Sequence, residues 1–126
     1  MRKELILIVD DEAVIADEIA MQLEELGLDV CGTAATAEEA LRLATLHQAS
    51  IVIMDMRLQG ELDGVHAALA INETVGSKII FLTGDREPMT IERIQIACPS
   101  SVLFKPVSTS QLSGAINAAR SDETDR

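Results

Sequence analysis

The 126 residues, 48% of them hydrophobic, suit one domain spanning 1–126 with a single ordinary core. A formal net charge of -11, with the ten Lys and Arg scattered rather than striped, argues against direct binding to nucleic acid. No apolar run approaches the roughly 20 residues that a bilayer span requires, so no membrane association is predicted and a cytoplasmic location is expected.

Leu5 to Val9 is an apolar run stopped by Asp10-Asp11, which has the length of a buried strand followed by a polar turn. Ile15, Ile19, Leu23 and Leu26 then recur at helical spacing, and Gly27 supplies a left-handed stop, predicting a helix from Glu12 or Ala13 to Leu26. Leu28 to Thr33 reads as a shorter, weaker strand. Thr36-x-x-Glu39 is a capping-box pattern in which each side chain satisfies the other's orphan amide, and it opens a helix over 37–47. His47, at its end, complements the helix dipole.

Ser50 to Asp55 is continuously apolar up to its final carboxylate, as expected of a strand buried on both faces of a parallel sheet. Ligands bind beyond the carboxyl ends of such strands, which makes Asp55 the first candidate for chemistry. After the long loop Met56–Leu62, Asp63 has the chemistry of an N-cap for a helix from Gly64 to about Val75. Lys78 to Leu82 is another continuous strand; it delivers Thr83, and Gly84 leaves room for close approach to the backbone. Pro88 opens a short helix with Ile91, Ile94 and Ala97 or Cys98 on its apolar stripe, and Pro99 ends it. Val102 to Phe104 delivers Lys105, and Ser108-x-x-Gln111 caps a last helix that buries Leu112, Ala115, Ile116 and Ala119 before a polar tail, 121–126.

Five strand–helix alternations predict an α/β fold, a doubly wound five-stranded parallel sheet in the order 2-1-3-4-5. The turns carrying Asp10-Asp11 and Asp55 then open into one crevice, with Thr83 and Lys105 at the same edge. Three carboxylates beside one ammonium call for a hard divalent cation, and Mg2+ suits oxygen donors and a phosphate. With Mg2+ and Lys105 offsetting charge, Asp55 could attack a phosphoryl group in line and become an aspartyl phosphate. Cys31 and Cys98 have neither metal-ligand nor disulfide spacing and are expected as small buried or half-buried thiols. His66 lacks an identifiable acidic or hydroxyl partner and is read as a helix-surface residue.

The set Asp10-Asp11, Asp55, Thr83 and Lys105-Pro106, in that order along Leu5 to Ala119, resembles the receiver domain of bacterial two-component response regulators, a flavodoxin-like (βα)5 fold. The resemblance implies Asp55 as phosphoacceptor, Asp11 as a direct Mg2+ ligand, Asp10 as an acidic partner acting through water, and the Arg57 main-chain carbonyl as a further ligand. It also implies that Thr83 hydrogen-bonds the phosphoryl oxygen, that Lys105 pairs with it, and that the Lys105-Pro106 bond is cis. Two positions depart from the usual pattern: Gln59 stands where many receivers have Pro, and Val102 where many have an aromatic switch residue. Arg57 and Asp85, two residues beyond Asp55 and Thr83, either pair across the mouth of the site or are solvated charges.

The resulting expectation is a phosphorylation-controlled switch rather than an enzyme. Its phosphoryl donor would be a sensor histidine kinase or histidine phosphotransfer protein, and its output an unidentified protein target. The face of the fourth helix, fifth strand and fifth helix is the family's usual contact surface, where a homodimer would form. Competing readings are a phosphate shuttle or sink, a Mg2+-dependent phosphohydrolase with an aspartyl-phosphate intermediate, and a flavin-binding module. The phosphohydrolase reading wants a second carboxylate where Arg57 stands. The flavin reading lacks a Ser/Thr/Gly-rich phosphate loop after the first strand.

Overall fold

The computed structural model describes residues 4–124. Strands β1 (Leu5–Val9), β2 (Asp29–Ala34), β3 (Ile51–Asp55), β4 (Lys78–Thr83) and β5 (Ser101–Phe104) alternate with helices α1 (Ala13–Glu25), α2 (Ala37–His47), α3 (Gly64–Thr74), α4 (Pro88–Ile96) and α5 (Thr109–Thr124). The strands form one parallel sheet in the order β2-β1-β3-β4-β5, as predicted.

Each central strand feeds two cores, because successive side chains point to opposite faces. Leu7, Val9, Val52, Met54, Ile79 and Phe81 pack under α2, α3 and α4, while Ile6, Ile8, Ile51, Ile53, Ile80 and Leu82 pack under α1 and α5. All five residues of β3 are buried, which explains its unbroken apolar run. The edge strand β2 is only half-buried, and its register against β1 slips between Ile6 and Leu7, so that Cys31 has no direct partner.

The helix ends show where local patterns held and where they did not. Ser108 and Gln111 form a complete capping box, each accepting the other's main-chain N–H at 3.1 and 2.9 Å. At α2, Thr36 accepts from the Glu39 N–H at 3.1 Å, but Glu39 reaches one residue farther back and accepts from Ala35. The reciprocal bond to Thr36 is therefore not made. A reciprocal box forms instead at α3, where Asp63 caps Val65 and His66 and the His66 ring accepts the Asp63 N–H. His66 thus has an acidic neighbour that the sequence did not reveal, and it serves the helix end.

Two further corrections concern residues past helix ends. Cys98 is exposed rather than half-buried, because the chain turns left-handed there (φ 50) after α4 and carries the thiol outward. α5 continues to Thr124, so most of the predicted polar tail is helical; residues 125–126 lie outside the described residues. Helical hydrogen bonding needs no apolar face, which is why composition alone placed that end too early. No helix among the described residues is long and apolar enough to cross a membrane.

Candidate functional site

The carboxyl ends of four neighbouring strands converge on a cleft of about 550 Å³ lined by Asp11, Asp55, Arg57, Thr83, Asp85 and Lys105. Asp10 and Asp11 follow β1, Asp55 and Thr83 end β3 and β4, and Lys105 follows β5. Lys105 projects its ammonium to 3.1 Å from Asp55 Oδ2, and its peptide bond to Pro106 is cis. The Lys105 N–H donates to the Thr83 carbonyl at 2.9 Å, continuing the sheet into the site.

Asp55 is almost fully buried, and its Oδ1 lies 3.4 Å from the Arg57 N–H. Its main chain is confined from the far side by Gly64. A Cβ on Gly64 would stand 2.2 Å from the Asp55 carbonyl oxygen, and the Gly64 N–H donates to Met56 at 2.9 Å. Only a residue without a side chain lets α3 begin so close to the candidate acceptor. At Gly84, read from the sequence as leaving room for close approach to the backbone, a Cβ would meet no protein atom within 4 Å. The only sequence signal for Gly64 was a poor helix former standing at the first helical position.

Asp10 is also buried; its Oδ1 accepts from the Glu12 N–H at 2.9 Å, and its Oδ2 has no hydrogen-bond partner. Burial pushes its carboxyl up to about 6; the Glu12 N–H opposes the rise and the Asp55 charge adds to it. Oxygen atoms from Asp10, Asp11 and Asp55 all lie within 4.8 Å of one another. The orphaned buried oxygen and the all-oxygen donor set fit a hard cation.

The Thr83 hydroxyl accepts from the Asp85 N–H at 3.0 Å, while its own O–H faces the Asp85 carbonyl at a long 3.4 Å. Its proton is therefore weakly committed.

Residues 6–117 match the response regulator receiver domain. The chain belongs to that family. It is 37% identical over 114 residues to the transcriptional regulatory protein PdtaR of Mycobacterium tuberculosis, covering 90% of this chain and 55% of that protein. It is 30% identical over 116 residues to the phyllosphere-induced regulator PhyR of Methylorubrum extorquens, covering 90% and 42% respectively. The receiver thus spans about half the length of the curated relatives it matches. Among solved structures, the signal receiver domain of a modulated diguanylate cyclase from Desulfovibrio desulfuricans superposes with a TM-score of 0.90 at 33% identity, covering 98% of this chain and 99% of that one. A CheY-like receiver from Methanospirillum hungatei gives 0.87 at 27% identity, covering 98% and 99%.

Arg57, Asp85 and Val102, which stood out in the sequence, have the following surroundings in this receiver. Arg57 and Asp85 form no ion pair among the described residues. Asp85 instead accepts from the Glu87 N–H at 2.8 Å and the Thr90 hydroxyl at 2.7 Å. Those two bonds hold its carboxyl below the usual range, and Arg57 adds only a weaker through-space contribution. Val102 is half-buried against the core beneath α4, while the aromatic ring on that face belongs to Phe104, with the Arg86 guanidinium 4.2 Å from its centroid.

Sequence reasoning also missed the contacts that tie the loops together. Arg93 on α4 grips Asp63 with two hydrogen bonds of 2.6 and 3.3 Å. Burial acts to raise the Asp63 carboxyl, but the bonds from Arg93 and the His66 N–H outweigh it and hold it low. Gln59 reaches back to the turn after β1, donating to the Asp11 carbonyl at 2.9 Å.

Proposed function

We propose that this receiver domain accepts a phosphoryl group on Asp55 from a histidine kinase or histidine phosphotransfer protein and signals through altered partner binding. The observation that carries the reading is the Asp55 carboxylate, buried at the floor of the cleft with Lys105 at 3.1 Å and two further carboxylates beside it. A carboxylate so placed is a nucleophile facing a space where a phosphoryl group can be held.

In the proposed step, an Asp55 oxygen forms a bond to phosphorus as the bond from phosphorus to the donor nitrogen breaks. The electron pair of that broken bond stays on the imidazole. Mg2+ held by Asp10, Asp11, Asp55 and the Arg57 main-chain carbonyl would supply positive charge against the carboxylates and the transferring group. Lys105 exchanges part of its contact with Asp55 for a phosphoryl oxygen, and Thr83 donates its weakly held proton to another. The Asp85 N–H still satisfies the Thr83 oxygen before that movement. Arg57, where a hydrolase of this chemistry would carry a second carboxylate, supports an acceptor rather than a turnover enzyme.

Incubation with radiolabelled acetyl phosphate tests the reading. Label should enter the protein with Mg2+ and fail to enter when a chelator removes the ion. Equal labelling under both conditions would refute the role of the acidic group.

A further inference from the structure

The Gln59 side chain hydrogen-bonds the loop after β3 to the turn after β1, and the residue is anchored at both ends. The main chain at Gln59 is fixed first: its N–H donates to Ala35 at 2.9 Å, and Gln59 pairs with Thr36 in an isolated parallel bridge. From this anchor its carboxamide Nε2 donates to the Asp11 main-chain carbonyl at 2.9 Å, 48 residues away in sequence. A carbonyl only accepts, so the amide must present its N–H there.

The turn it grips is tied on either side of Asp11: the Asp10 N–H donates to Ala34 at 2.9 Å while Asp10 Oδ1 accepts the Glu12 N–H at 2.9 Å, and the Glu12 carbonyl accepts from Ala16 at 3.1 Å. Between those ties lies Asp11, whose carboxylate belongs to the group with Asp10 and Asp55. Like charges at that separation repel, and a half-buried turn can relieve the repulsion by rotating the Asp11 peptide outward. Fixing the Asp11 carbonyl opposes that rotation.

We propose that Gln59 is a positioning residue for the cation site: its carboxamide holds the Asp11 main chain so that the Asp11 carboxylate stays in the three-carboxylate group. The inference rests on the reading of that group as a divalent-cation site. Gln59 does not touch the ion; it reduces the ordering that binding would otherwise require.

The test is a titration of the whole chain with MgCl2, followed by backbone amide chemical shifts, for wild type, Gln59→Met and Gln59→Ala. Methionine keeps the length of the side chain and removes the N–H. Both variants should weaken Mg2+ by about three- to tenfold, the value of one hydrogen bond expressed as affinity. Unfolding by urea in the presence of chelator separates this from a general structural role, which would lower stability and leave the dissociation constant unchanged. Wild-type affinity in Gln59→Met overturns the proposal, as does weakening in Gln59→Ala alone. Absence of Mg2+ binding by the wild type itself would instead overturn the cation reading, and the positioning role with it.

Discussion

Replacing Gly64 by alanine would press a Cβ to 2.2 Å from the Asp55 carbonyl oxygen and 3.1 Å from both the Asp55 carbonyl carbon and the Met56 Cα. Real Cβ atoms essentially never come within 3.0 Å of such atoms, so the chains must part by about 0.8 Å, the difference between 3.0 and 2.2 Å. Neither side yields freely. β3 is hydrogen-bonded between β1 and β4, and α3 is fixed by the buried Val65, Ala67, Ala68 and Ile71. Overpacking of this kind costs about 1–3 kcal/mol. If Asp55 is the acceptor as proposed, displacing it by close to 1 Å is expected to slow phosphoryl transfer by about 100-fold. Urea unfolding followed by circular dichroism measures the first quantity, since the chain has no Trp or Tyr, and initial labelling rates from acetyl phosphate measure the second. Gly114→Ala is the control: its Cβ meets nothing within 4 Å, and alanine there should stabilise α5 by about 0.4–1 kcal/mol. Wild-type stability and rate in Gly64→Ala would refute the argument that this close approach fixes Asp55.

Mg2+ at 100 times its dissociation constant should raise unfolding stability by about 2.7 kcal/mol, and Asp11→Ala should remove most of that gain; an undiminished gain would place the ion elsewhere. Arg93→Ala should cost about 1 kcal/mol at neutral pH by releasing Asp63 and loosening α4 from the start of α3, measured by urea unfolding. Because the Asp63 carboxyl is held below its ordinary value, its contribution is present above that value and disappears as pH falls through the lowered one. The difference between wild type and Arg93→Ala should therefore shrink in acid; a constant difference down to the acid transition would show that packing, not charge, joins the helices.

The sheet was legible because strands buried on both faces must be apolar throughout, so each announces itself and the polar residue that follows it. Asp10, Asp55, Thr83 and Lys105 are all such residues, and knowing the strand order was enough to bring them together. What the sequence concealed depends on proximity between distant segments. Nothing local distinguishes Gln59 from any loop glutamine until the turn at Asp11 is placed beside it. Gly64 reads as a weak helix residue until the Asp55 carbonyl is found against it. Local rules also compete: Asp85 prefers the Glu87 N–H and Thr90 hydroxyl, two and five residues along the chain, to a charge across open solvent. Val102 leaves the usual aromatic position empty, and only the structure shows that Phe104, two residues on, presents its ring to Arg86.

The central claim is that Asp55 itself becomes phosphorylated. Peptide mapping after labelling with radioactive acetyl phosphate in Mg2+ tests it most directly, in wild type and in Asp55→Ala. The label should sit on the peptide containing Asp55 in the wild type and be absent from the variant. Label that persists in Asp55→Ala, or that maps to another peptide in the wild type, would contradict the account.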